Sequence, residues 1–301
     1  MKSFSGIHAV LYALFDENGK LDQSAMRSQV QLMLSEGVSG ITVLGLATEV
    51  SKLTPSEQRD VIKWTAEEIS NRVPLSVTVT GNNVDTQREL SSFAIDHGAD
   101  WLILQPPTVG SFSGDVYLDF FKDVAKGFTA PFAIQNAPQY LGRSLSSTDI
   151  EKLTDECPHF SLIKAEVSAI ELADLIKTIE KKLTILNGRG ALELTDCLRA
   201  GVDGLVLAPD VIDFSKRIFD LWQEGEYRLA EEQYQRVLPV IVFIMQSIEH
   251  LICYGKRIYG LRSGTPIYDR SPALTPTEFG LESVGYWSKY LGSFSSVSYE
   301  K

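Results

Sequence analysis

Lys164 ends the apolar run His159-Phe160-Ser161-Leu162-Ile163, so a single amine stands where a buried strand would open onto a loop. Charging an amine among apolar neighbours is costly. A fraction of it is therefore free base near neutral pH and can condense with a ketone to form an imine. Taken alone, the residue has a second reading, a lysine whose stem lies on apolar surface while its ammonium reaches water. Metal chemistry is not expected. His8, His97, His159 and His250 lack HxH or HExxH spacing, and Cys157, Cys197 and Cys253 form no CxxC pair.

A nucleophilic lysine needs elements that hold it, and the chain alternates short β-rich runs with amphipathic stretches. Ile7 to Phe15 reads as a strand and Asp22 to Glu36 as a helix. Gly40 to Leu44 precedes a helix opened by Thr54-Pro55-Ser56-Glu57, where Thr54 caps, Pro55 suits the first turn and Glu57 completes a capping box. Leu75 to Thr80 precedes Val84 to His97, and Trp101 to Leu104 precedes Gly114 to Lys126. Pro131 to Gln135 precedes a helix capped near Ser146 or Ser147, and Phe160 to Lys164 precedes Ser168 to Lys177. Leu183 to Leu186 and Gly204 to Ala208 supply two more strands, followed by helices over Gly190 to Ala200 and Val211 to Glu224. The turns His97-Gly98-Ala99-Asp100 and Ala200-Gly201-Val202-Asp203 read as a repeated joint from helix to strand.

Eight such units predict the α/β class and a closed (β/α)8 TIM barrel over residues 1–225, in preference to an open doubly wound sheet. The strand pattern stops near Tyr227, and residues 226–301 read as a C-terminal helical extension packed on the barrel. Within it Leu229 to Tyr254 forms one long or broken helix with Pro239 as the bend, followed by a loop from Ser263 to Pro276 and a helix from Thr277 to about Tyr290.

Composition narrows the partners. A chain of 301 residues with 44% hydrophobic and 22% charged residues matches globular averages and can bury a large core. A formal net charge of −11 repels phosphate backbones and anionic membranes, so nucleic acid and membrane surfaces are not expected partners. A small anionic metabolite remains compatible, bound through local donors. No apolar stretch reaches the length of a membrane span, and the scattered cysteines fit a reducing cytoplasm.

In a barrel of this kind the active site lies at the C-terminal ends of the strands. Five ends carry chemistry: Gly45-Leu46-Ala47-Thr48-Glu49 after the second strand, Gln105-Pro106-Pro107-Thr108 after the fourth, Gln135-Asn136-Ala137-Pro138 after the fifth, Lys164-Ala165-Glu166 after the sixth, and Asn187-Gly188-Arg189-Gly190 after the seventh. Thr48 is read as a binding group, and Glu49 as either a substrate contact or a brace for its loop. Asn136 is read as a binding group or as the start of a tight turn with Pro138. Arg189 can pair with a substrate carboxylate or a surface acid, beside glycines that allow close backbone approach. Glu166 assists proton transfer if buried, or sits exposed near a helix start.

These segments together resemble the dihydrodipicolinate synthase / N-acetylneuraminate lyase family over nearly the whole chain. The likeness rests on "SGITVLGLATEVSKLTPSEQRDVI", "HGADWLILQPP", "IQNAP" and "SLIKAE". It implies that Lys164 forms the Schiff base with a 2-oxo acid such as pyruvate, its protonated imine serving as electron sink. It also implies a homotetramer built from dimers. No cofactor is expected, because the lysine supplies the sink.

The departures select among reactions. Where the lysine-pathway members carry two adjacent threonines, this chain has Leu46 and Ala47, and where they carry a tyrosine before Asn-x-Pro it has Gln135. Thr108 stands at the position of a second tyrosine, and Tyr140 at that of an arginine for a distal carboxylate. An amide cannot release and recover a proton near neutral pH, though it can hold a hydroxyl or a water. The combination is similar to the branch that dehydrates 2-keto-3-deoxy sugar acids. The resulting expectation is a lyase with Lys164 and Gln135 catalytic, and Ala47, Thr48, Glu49, Thr108, Asn136, Tyr140, Glu166, Asn187 and Arg189 around the substrate. A pyruvate-dependent aldolase or 4-hydroxy-tetrahydrodipicolinate synthase-like enzyme is the alternative, and a non-catalytic ligand-binding barrel the reading from another class.

Overall fold

A computed structural model describes residues 4–107, 109–110, 112–180 and 182–294; Thr108 lies outside the described residues. Strands and helices alternate as β1 (Gly6–Val10), α1 (Gln23–Ser35), β2 (Gly40–Val43), α2 (Pro55–Ile69), β3 (Leu75–Val79), α3 (Val84–Asp96), β4 (Trp101–Leu104) and α4 (Gly114–Ala125). They continue as β5 (Phe132–Asn136), α5 (Pro138–Leu141), α6 (Ser147–Glu156), β6 (Phe160–Ala165), α7 (Ala169–Thr178), β7 (Thr184–Asn187), α8 (Leu194–Ala200), β8 (Gly204–Leu207) and α9 (Ile212–Gln223). The eight strands pair in sequence order, all parallel, and β8 closes on β1. The protein is a (β/α)8 barrel.

Helices on the outside and packed side chains within cover both faces of each strand, and this is why the strands read as apolar runs instead of alternating ones. The two repeated joints are physically alike. Gly98 (φ 93°) and Gly201 (φ 99°) take the left-handed conformation a side chain would strain. Two residues on, Asp100 accepts from the Leu75 amide at 2.9 Å and Asp203 from the Ile185 amide at 2.8 Å, each carboxylate tying a strand start to the neighbouring strand. The capping box at Thr54 and Glu57 is present, with Pro55 in the first turn of α2.

Three local expectations are corrected. The first strand pairs only over Gly6–Val10; Leu11 to Phe15 continues as buried chain outside the ladder. The helix of the seventh unit begins at Leu194, leaving residues 188–193 as a loop over the barrel mouth. In the extension, α10 (Tyr227–Ile244) continues unbroken through Pro239. Proline removes one backbone hydrogen bond there, but Val237, Val240, Ile241 and Ile244 are almost wholly buried, and that packing keeps the helix intact. The turn comes later, at 245–247, where the chain swings by 102° into α11 (Ile248–His250), a π-helical turn (Leu251–Gly255) and α12 (Lys256–Ser263); α13 (Glu278–Leu291) follows. No single helix among the described residues is long and apolar enough to cross a membrane.

Ion pairs fasten this extension to the barrel. Arg262 is bidentate to Asp213 at 3.0 and 2.5 Å, Lys256 pairs with Glu49, and Arg270 grips Glu57 at 2.9 and 2.6 Å. The Arg270 guanidinium holds the Glu57 carboxyl down at about 2. A depressed carboxyl stabilises the fold above its unfolded value and loses that contribution as pH falls through the folded one. Arg270→Met should therefore cost roughly 2 kcal/mol, or about 4 °C in Tm, at pH 7. In thermal melts the gap to wild type should narrow as the pH is lowered from about 5 toward 2; a gap that stays constant would contradict the assignment.

Candidate active site

Strands β5 and β6 are neighbours, and their register sets Gln135 opposite Lys164 and Asn136 opposite Ala165. Both strands extend to include these residues, so Gln135 and Lys164 are held by sheet hydrogen bonds and not by loops. Side chains two apart on a strand share a face, which brings Glu166 beside Lys164. The Glu166 amide donates to the Asn136 carbonyl at 2.8 Å, continuing the pairing one residue past β6.

The resulting constellation is a chain of short polar contacts. Lys164 Nζ lies 2.9 Å from Glu166 Oε1. Gln135 Nε2 donates to the same oxygen at 2.6 Å, and Gln105 Nε2 donates to Gln135 Oε1 at 2.8 Å. All four residues are buried, with Lys164 4% exposed and Glu166 2% exposed. Burying an unpaired ammonium would be prohibitive; the carboxylate and the amide donor make the site tolerable in low dielectric. Gly188, after β7, makes room for the pair. A Cβ built on it would stand 2.7 Å from Lys164 Cε and 2.9 Å from Glu166 Cγ.

Above this network lies a cavity of about 1150 Å³ at the barrel mouth, ample for a small organic acid. Gln105, Thr80, Leu46 and Glu49 contribute from the barrel, Tyr140 and Arg189 from the loops, and Met245, Ser247 and Ile252 from the extension. Lys164 sits below the floor and connects to its Gln105 through Gln135 and Glu166. Tyr140 is half-buried, and burial together with the Glu166 carboxylate raises its phenol above the ordinary range against the opposing pull of Arg189. Arg189 also pairs with Glu193, while its buried Nε has no hydrogen-bond partner.

Several of the expected site residues are braces in this arrangement. Thr48 is fully buried and donates to the Leu11 carbonyl at 2.7 Å. Asn136 clasps the backbone of Leu145 through both ends of its amide, at 3.1 and 2.8 Å. Asn187 donates to the carbonyls of Ala165 and Val167 and accepts the Arg189 amide. Ala47 is buried and offers only its backbone to a ligand. Glu49 stands in the left-handed conformation (φ 53°) and is held between Lys52, at 2.6 Å, and Lys256.

Lys256 and Gln105 were not singled out as site residues. Lys256 is completely buried, also lies 3.3 Å from the Ala13 carbonyl, and has its ammonium disfavoured by burial against the opposing pull of Glu49. Nearby, Tyr12 donates to Asp210 at 2.6 Å, and burial raises that carboxyl. These partners are some two hundred residues apart along the chain, and no local motif announces them. Gln105 had a usable signal, its place at the end of the fourth strand.

Comparison with known proteins shows the family. The model of the dihydrodipicolinate synthetase family matches residues 3–283, and the chain belongs to that family. Among its relatives is an Escherichia coli protein named "Probable 2-dehydro-3-deoxy-D-pentonate aldolase YjhH", 24% identical across 94% of this chain and 96% of the relative. Similar solved structures include dihydrodipicolinate synthase from Rhodopseudomonas palustris, with TM-score 0.86 and 22% identity over 95% of this chain and 97% of that one. Another is YagE of E. coli, a member of the same family in complex with pyruvate, with TM-score 0.86 and 23% identity over 96% and 98% of the two chains.

The crowding at residue 188 is directly testable. Gly188→Ala should force the Lys164 stem and the Glu166 side chain aside and cost about 1–3 kcal/mol of stability in thermal melts. An unchanged Tm would show that the pair does not need this space.

Proposed function

We propose that the protein is a Schiff-base-forming lyase that dehydrates a 2-keto-3-deoxy sugar acid. The observation that carries the reading is the 2.9 Å contact between Lys164 Nζ and Glu166 Oε1, with Gln135 holding the same carboxylate. Imine formation needs a free amine, and Glu166 is placed to take the proton from the Lys164 ammonium. The amine adds to the C2 ketone, Glu166 returns its proton to the departing hydroxyl, water leaves, and a protonated imine remains beside the regenerated carboxylate.

C3 of the bound substrate is then two bonds from the nitrogen that Glu166 already touches. A carboxylate at hydrogen-bond reach of that nitrogen is well placed to remove the C3 proton and give the enamine. The enamine electrons expel the C4 hydroxyl, which takes the proton now on Glu166 and leaves as water, and hydrolysis of the conjugated imine frees Lys164. Gln135 donates no proton; it orients the carboxylate. The chemistry calls for no cofactor, because the imine is the electron sink.

A second reading, cleavage between C3 and C4 with release of pyruvate, is supported by the aldolase name of the E. coli relative. It uses the same imine and differs in the bond broken. Borohydride should trap pyruvate on Lys164 and the trap should disappear in Lys164→Arg; a missing adduct on the wild-type protein would overturn both readings. With a panel of 2-keto-3-deoxy acids, dehydration should consume substrate with no pyruvate detected by coupled lactate dehydrogenase, whereas stoichiometric pyruvate would establish the aldolase. Glu166→Gln should lower kcat by about a hundredfold or more; retained turnover would remove Glu166 from the proton path.

A further inference from the structure

We propose that Gln105 is a positioning residue for this reaction: it fixes which end of the Gln135 amide faces Glu166, and through it the orientation of the carboxylate that carries the C3 proton. The inference rests on the lyase reading above. Its ground is the direction of the hydrogen bonds. An ionised carboxylate only accepts, so the 2.6 Å contact requires the NH₂ end of Gln135 to point at Glu166. The carbonyl end then points the other way, into a buried space where it needs a donor. Gln105 supplies one, its Nε2 at 2.8 Å from Gln135 Oε1.

Were Gln135 turned over, its carbonyl would face the carboxylate and its NH₂ would face the NH₂ of Gln105. Both contacts would be repulsive, in a site too dry to screen them. Gln105 therefore blocks the wrong orientation as well as supporting the right one.

Gln105 is itself held at both ends of its peptide. Its N–H donates to the Val79 carbonyl at 3.0 Å, and its carbonyl accepts from Gln87 Nε2 at 2.9 Å. Gln87 is fully buried on α3, and its amide also reaches the Gly81 carbonyl at 3.0 Å. Three glutamines thus run from α3 through the ends of β4 and β5 to the carboxylate beside Lys164. Gln87 fixes Gln105 through its backbone carbonyl, and the Gln135 amide is held from both ends, by Glu166 and by Gln105.

Two near-isosteric variants test this with pyruvate as the probe. Gln105→Met removes the donor without adding charge, and Gln105→Glu replaces it with an acceptor that favours the turned-over Gln135. Borohydride trapping reports imine formation on Lys164, and exchange of the pyruvate methyl protons with deuterium, followed by NMR, reports proton transfer at C3. Both variants should still trap pyruvate on Lys164, with kcat for exchange falling by about tenfold or more and by a larger factor than trapping slows or KM rises. Exchange at wild-type kcat in either variant overturns the proposal. So does a change confined to KM, which would make Gln105 a substrate contact, or a parallel loss of trapping and exchange, which would make it a packing residue. A wild-type protein that traps no pyruvate defeats the lyase reading itself, so the two failures are told apart.

Discussion

The contact between Lys164 and Glu166 at the end of β6 is the interaction around which the rest is arranged. Neither charge could be buried alone at this depth; together, with Gln135 donating to the shared carboxylate oxygen, they form a compact unit that needs little water. Such pairs add little net stability compared with apolar packing, and their presence at the catalytic face of a barrel is better explained by chemistry. An amine that must lose a proton has its acceptor at hydrogen-bond distance before any substrate arrives. The site is preorganised because its partners are strand residues: the register that sets Gln135 opposite Lys164 also decides which carboxylate and which amide meet.

Two kinds of support surround that unit. Around it, Gln87, Asn136 and Asn187 bond backbone through their amides and Gln105 donates to Gln135, and the absence of a side chain at Gly188 leaves the space that the lysine stem occupies. Above it, the helical extension closes the cavity, fastened by Arg262, Lys256 and Arg270 to acids on the barrel. Glu49 belongs to this fastening. Lys256 ties the loop after β2, with Leu46 in the cavity wall, to the extension, while Lys52 holds Glu49 within that loop. A ligand in the mouth is therefore enclosed by elements from both ends of the chain.

Much of this was legible in the sequence, and the remainder was hidden for identifiable reasons. Eight β-rich runs, the box at Thr54 and Glu57, and the paired joints at Gly98 and Gly201 are local signals, each written within a few residues, and they define the barrel. The position of Lys164 followed from its apolar run. What one sequence cannot display is the partner a buried polar group takes. Thr48 looked like a binding hydroxyl, but its oxygen turns to the Leu11 carbonyl. Lys256 carried no pattern, because its meaning depends on Glu49 far away in the chain. The helix breaks at 245–247 and stays unbroken at Pro239, because the buried face of α10 outweighs one lost hydrogen bond. Gln135 drew attention as a missing tyrosine; its actual neighbours, a glutamine and a glutamate, give the substitution a physical sense.

The central claim is that Lys164 is the nucleophile and Glu166 the group that moves protons beside it. A crystal structure of the protein soaked with pyruvate tests it most directly. The account predicts continuous electron density from Lys164 Nζ to C2 of the bound pyruvate, with the Glu166 carboxylate still held by Gln135 and within hydrogen-bond reach of the imine nitrogen or of C3. Pyruvate bound in the cavity without a covalent link to Lys164, or an imine from which Glu166 has turned away, would contradict it.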